Sequence, residues 1–174
     1  MGIEVFPYKI DWKKFKDSFP TNDVTWLLKL NADFPKRDMT GKHDAYSSAF
    51  DAMSKHLTPG TRKALGLFVA ATSVNMLDSV DFTPYTSDST VDLSEYSEVP
   101  QPQLDPRQMK RVTKALETFL ASDGESEIRA AWDKAKPKVP KMKSADDFVA
   151  YLRLWIRTFQ EIHADGAVLG LGWA

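Results

Sequence analysis

Three histidines, His43, His56 and His163, are the only side chains in this chain of 174 residues whose ordinary pKa lies near neutrality. Two of them follow an arginine at the same spacing, Arg37-x5-His43 and Arg157-x5-His163. In such a pair, histidine could take a proton from a ribose 2′-hydroxyl while arginine stabilises the charge that develops on the phosphorane. The pattern is short, Gly41 interrupts the first copy, and the second ends a helical stretch whose other side is apolar. A blander role also fits His163, as a cation in the last turn of a helix, where it opposes the macrodipole.

Other chemistries are less well supplied. No histidine stands in an H-x-x-x-H or H-E-x-x-H arrangement, so helical metal ligation has no basis. The chain has no cysteine, which removes disulfides, thiolate metal sites and a cysteine nucleophile. There is no G-x-S-x-G elbow and no phosphate-binding glycine loop; Gly170-Leu171-Gly172 is followed by no helix that could receive an anion. The sequence therefore names no catalytic residue, no metal ligand and no cofactor.

Binding is better represented. No lysine or arginine occurs from residue 64 to 106, and that window holds seven acids: Asp78, Asp81, Asp88, Asp92, Glu95, Glu98 and Asp105. Residues 1–63 carry 11 basic and 8 acidic side chains, and 107–143 carry 10 and 5, so a chain of net charge −1 is segregated along its length. Residues 64–77 lack charge because they are core-like, which confines the acids to 78–105. Phe82, Tyr85 and Tyr96 lie among them. An acidic field steers a basic partner and aromatics anchor it, so the expected site is Asp78, Asp81, Phe82, Tyr85, Asp88, Asp92, Glu95, Tyr96 and Glu98. A solvated loop would have the same composition. The stretch has no glycine, so it is not an EF-hand. The basic runs Lys13-Lys14-Phe15-Lys16 and Lys134–Lys143 lack the interleaved aromatics of a single-strand nucleic-acid surface, and the pI near 6.3 gives no general pull toward polyanions. No apolar run reaches bilayer length and Met1–Ile10 lacks a signal-peptide layout, so the expectation is a cytoplasmic protein without a membrane partner.

The elements that must position these residues follow from periodicity. Ile3–Ile10 alternates as a strand, and Pro7 restricts it to a sheet edge. Asp11 caps a short turn of helix with Trp12 and Phe15; further helices are predicted over Asn22–Asp33 and His43–Leu57. Thr58-Pro59-Gly60-Thr61 reads as a break. Leu65–Leu77 is apolar almost all round; its length favours helix, while Gly66, Val69, Thr72 and Val74 also suit a strand. A long connection spans 78–105, with one short strand expected near Thr90–Leu93. Asp105, Pro106 and Gln108 form a capping box for a helix ended by Gly124. A shorter helix runs Glu125–Ala135, and Lys136–Lys141 forms an extended basic linker. Ser144 then opens the last helix, with Phe148, Leu152, Trp155, Phe159 and Ile162 inward and Gly166 as a left-handed stop. Ala167–Ala174 is an apolar strand placed beside the first. The whole reads as one α+β domain over 1–174, about six helices on a small sheet that contains both terminal strands.

The opening MGIEVFPYKID, the helix LDPRQMKRVTKALETF and the run FVAYLRLWIRTFQEIHADG into a final strand resemble the YfbM-like family of small bacterial proteins. That resemblance implies paired terminal strands and brings no catalytic residues. A looser likeness, in size, absence of cysteine and acidic concentration, is to bacterial toxin-immunity proteins, which implies a basic toxin as partner. The Arg-x5-His strings resemble the motif of HEPN-type ribonucleases, which makes an RNA-cleaving enzyme the alternative. Self-assembly through an edge strand is a third class.

Overall fold

The computed structural model describes residues 5–18, 43–72 and 101–173. Strand β1 (Val5–Ile10) pairs antiparallel with β3 (Val168–Trp173), with Val5 opposite Trp173 and Ile10 opposite Val168. A two-residue strand, β2 (Gln101–Pro102), adds to the other side of β3, so the order is β1-β3-β2. Among the described strands β1 is thus at the edge, the position that Pro7 requires. β3 is central, and Val168, Leu169, Gly170 and Leu171 are all buried. A strand enclosed on both faces has no use for polar side chains, which is why its sequence carries none. The pairing of the two terminal strands is as expected, whereas β2 lies inside the predicted connection, outside the short strand expected near Thr90–Leu93.

Among the described residues there are six α-helices: α1 (Trp12–Ser18), α2 (His43–Met53), α3 (Pro59–Thr72), α4 (Pro106–Ala121), α5 (Gly124–Ala135) and α6 (Ala145–Ala164). Asp11 starts α1 by accepting the Lys14 backbone N–H at 3.0 Å. The Asp105 side chain accepts from Gln108 N at 2.8 Å while Gln108 Oε1 accepts from Asp105 N at 2.9 Å, and Ser144 and Asp147 repeat that reciprocal box on α6. At the far end of α6, Gly166 adopts φ +66°, with Gly166 N–H bonded to His163 O and Ala167 N–H to Ile162 O, a Schellman stop that turns the chain into β3.

α6 is the axis of the core. Phe148, Leu152, Trp155, Phe159 and Ile162 are buried along it, and Tyr46 of α2 stacks on Phe148 with centroids 4.2 Å apart. Phe68 of α3 meets Tyr46 edge-on at 4.9 Å and lies 5.9 Å from Trp155. Three buried threonines satisfy themselves by donating to the carbonyl four residues back: Thr72 to Phe68, Thr113 to Met109 and Thr158 to Leu154.

Several boundaries differ from the sequence reading. α2 ends at Met53 and passes through a 3-10 turn, Ser54–His56, before Leu57. The predicted break at Thr58–Thr61 is a helix start, with Pro59 at the first helical position, whereas residues 65–72 are the helix that their length favoured. Gly124 does not end α4, whose last residue is Ala121; it begins α5. The linker after α5 is not simply extended: Lys136 is left-handed at φ 45° and Val139 bridges Met142 around Pro140 and Lys141. The predicted helix Asn22–Asp33 and the short strand near Thr90 lie outside the described residues.

Candidate functional site

The residues expected to bind a partner, Asp78, Asp81, Phe82, Tyr85, Asp88, Asp92, Glu95, Tyr96 and Glu98, lie outside the described residues. The seventh acid of that window is described, and it is committed elsewhere: Asp105 caps α4. The stretch expected to bind a partner is therefore Asp78–Glu98.

The two Arg-x5-His strings fare differently. Arg37 lies outside the described residues, while His43 opens α2, where burial pushes its imidazole below its ordinary pKa against a smaller opposing pull from Asp44. Arg157 and His163 are both exposed on α6. Six residues at about 100° each set them about 120° apart around the helix, so α6 does not aim them at a common point. Among the described residues no three His, Asp or Glu side chains gather as a cation site would need. Nor, among them, is any helix long and apolar enough to cross a membrane.

What the described structure does contain is a groove of about 930 Å³ between α3, α4 and α5. Its volume falls in the range of small-molecule sites, roughly 300–1,000 Å³. Sequence reasoning misses it, because the core stripe of α4 is the only apolar signal that the helix displays. Met109, Val112, Leu116 and Phe119 face the core, yet Arg111, Lys114, Ala115, Thr118 and Ser122 repeat at spacings of three and four on an adjoining face that lines the groove. α3 contributes Gly60, Lys63, Ala64 and Leu67, and α5 contributes Gly124, Ser126 and Ala130.

Glu127 fixes one end of this groove. From α5 it accepts the Thr58 backbone N–H, the Thr58 hydroxyl at 3.1 Å and the Thr61 hydroxyl at 2.6 Å. Burial alone would raise its carboxyl pKa, but those three donors prevail and hold it below the ordinary value. The carboxylate thus caps α3 from another helix, since Thr58, the residue before Pro59, offers its own side chain to Glu127. At the α4–α5 turn, a β-carbon on Gly124 would come within 2.2 Å of the Phe119 ring. Only glycine leaves room for that ring at the start of α5.

Charge around the groove is uneven. Elsewhere on the described surface several cations are paired: Arg153 grips Glu125 through Nε at 2.6 Å and Nη2 at 2.5 Å, holding that carboxyl low, and Arg129 reaches Asp146 at 3.1 Å. Lys63, Arg111 and Lys114 are exposed at the groove and, among the described residues, have no ion-pair partner. No protein-family model, curated protein or solved structure matches the chain.

Proposed function

We propose that this chain is a non-catalytic binding protein that engages a basic protein partner through Asp78–Glu98, in the manner of an immunity or antitoxin protein. One observation carries this reading: no lysine or arginine stands between Lys63 and Arg107, while six acids and three aromatics are concentrated in 21 residues of that window. Opposite potentials raise encounter rates, and Phe82, Tyr85 and Tyr96 supply the buried anchors that such a surface needs. The likeness to YfbM-like and toxin-immunity proteins belongs to the same proposal and adds the class of partner, a basic toxin.

Several of the described acids serve the fold itself. Asp11, Asp105, Glu127 and Asp147 cap helices, and Glu125, Asp146 and Asp165 are paired with Arg153, Arg129 and Lys9.

The test is capture of the partner on immobilised full chain, followed by titration of the purified partner against Asp78→Asn/Asp81→Asn/Asp92→Asn/Glu95→Gln. A basic partner whose affinity falls at least tenfold supports the proposal. A captured partner with unchanged affinity for the neutralised chain sinks it. The alternative, an RNA-cleaving enzyme using Arg157 with His163 or Arg37 with His43, predicts cleavage of RNA by wild type and its loss in His43→Ala/His163→Ala.

A further inference from the structure

We infer that the groove between α3, α4 and α5 is a binding site for a free, single-chain alkyl carboxylate, its tail along the apolar floor and its head group on Lys63, Arg111 and Lys114. This inference does not rest on the acidic stretch.

The floor is built for a slender apolar chain. Leu67, Ala64, Ala115 and Ala130 keep it apolar and low, and a β-carbon placed on Gly60 would meet nothing within 4 Å, so that wall is open. From Arg111 to Ser122 the lining face of α4 rises about 16 Å at 1.5 Å per residue. A volume of about 930 Å³ suits one flexible chain. A peptide helix, about 10–12 Å across with its side chains, would overfill a groove of that length and volume.

The rim decides the head group. Lys63 lies on α3 while Arg111 and Lys114 lie one turn apart on α4, so the cations flank the groove from both long walls. They have no ion-pair partner among the described residues. The two acids at the groove, Glu127 and Asp123, only partly offset the three cations and leave the lining with a net charge of +1; Glu127 is turned to Thr58 and Thr61, and Asp123 lies beyond Ser122, at the opposite end of the α4 face from Arg111. A guanidinium fork takes a carboxylate through two parallel hydrogen bonds, and two flanking ammonium groups add charge without demanding geometry.

The experiment is calorimetric titration of the full chain with decanoate, decanol and decyl phosphate. Decanoate is expected to bind saturably at one site and at least tenfold tighter than decanol. That preference should vanish in Lys63→Ala/Arg111→Ala/Lys114→Ala, whose changes are all at exposed positions. Ala115→Trp, and independently the exposed Ala130→Trp, should weaken both decanoate and decanol, with circular dichroism confirming that each variant is folded. The assignment is overturned by absence of saturable decanoate binding, by equal decanoate affinity in the triple variant, or by indifference of the folded tryptophan variants. Binding of decyl phosphate without decanoate, or of an acidic amphipathic peptide in place of decanoate, overturns it as well.

Discussion

Glu127 on α5 accepts a 2.6 Å hydrogen bond from the Thr61 hydroxyl on α3, 66 residues away in sequence, and with the same carboxylate takes the Thr58 backbone N–H. Capping of α3 is thereby made a tertiary interaction. Loss of a cap ordinarily costs about 1 kcal/mol. Glu127→Ala is expected to destabilise the protein by roughly that amount in urea unfolding, with Glu127→Gln losing less because one oxygen still accepts. The carboxyl is held below its ordinary value, so its contribution is complete above the unfolded-state value of 4.5 and is lost as pH falls through the lower folded one. Wild type and Glu127→Gln should therefore converge in stability on acidification.

Gly124→Ala should destabilise by about 1–3 kcal/mol, the usual cost of overpacking, because the new methyl collides with a ring rather than a flexible tip. Pairing it with Phe119→Leu should recover part of the loss, and a double-mutant cycle on urea midpoints measures the coupling. Strictly additive effects would show that the ring is not what holds position 124 to glycine.

Tyr46 gives a prediction of opposite sign. Its ring is fully buried against Phe148 and Phe68, and its hydroxyl is buried with no hydrogen-bond partner among the described residues; burial first, and then Tyr151, push its pKa well above the ordinary value. An unpartnered buried hydroxyl costs about 1–3 kcal/mol. Tyr46→Phe should leave thermal stability unchanged or raise it, whereas Tyr46→Ala should lower it by about 3–5 kcal/mol through the cavity.

His43 sets a pH dependence. Burial lowers its pKa in the folded protein, so the unfolded chain takes up a proton first as pH falls through 6.5. Stability should decline between neutral and mildly acidic pH, and His43→Gln should flatten that slope in unfolding curves taken across the interval.

Local signals carried much of this architecture. Asp105 with Gln108, and Ser144 at the head of α6, act within four residues, so their chemistry is legible from spacing alone, as is the left-handed Gly166. Paired terminal strands followed from one uncharged segment needing cover. Contacts between distant residues were not legible. Gly124 reads as a helix stop, and only the Phe119 ring reveals why glycine begins α5. Pro59 reads as a break until Thr58 finds Glu127. The groove was hidden because α4 has two working faces, and the alanines and cations of its groove face are indistinguishable in sequence from ordinary solvated helix surface. β2 is two residues long, too short for any alternation to register.

The central claim, that Asp78–Glu98 steers a basic partner, is tested most directly by the association rate constant as a function of ionic strength. Screening shortens the reach of exposed charge to about 8 Å at physiological salt, so steered encounters slow as salt rises. Stopped-flow measurements should show a steep decline for wild type and a markedly shallower one for Asp78→Asn/Asp81→Asn/Asp92→Asn/Glu95→Gln. Equal salt slopes for the two proteins would contradict the account.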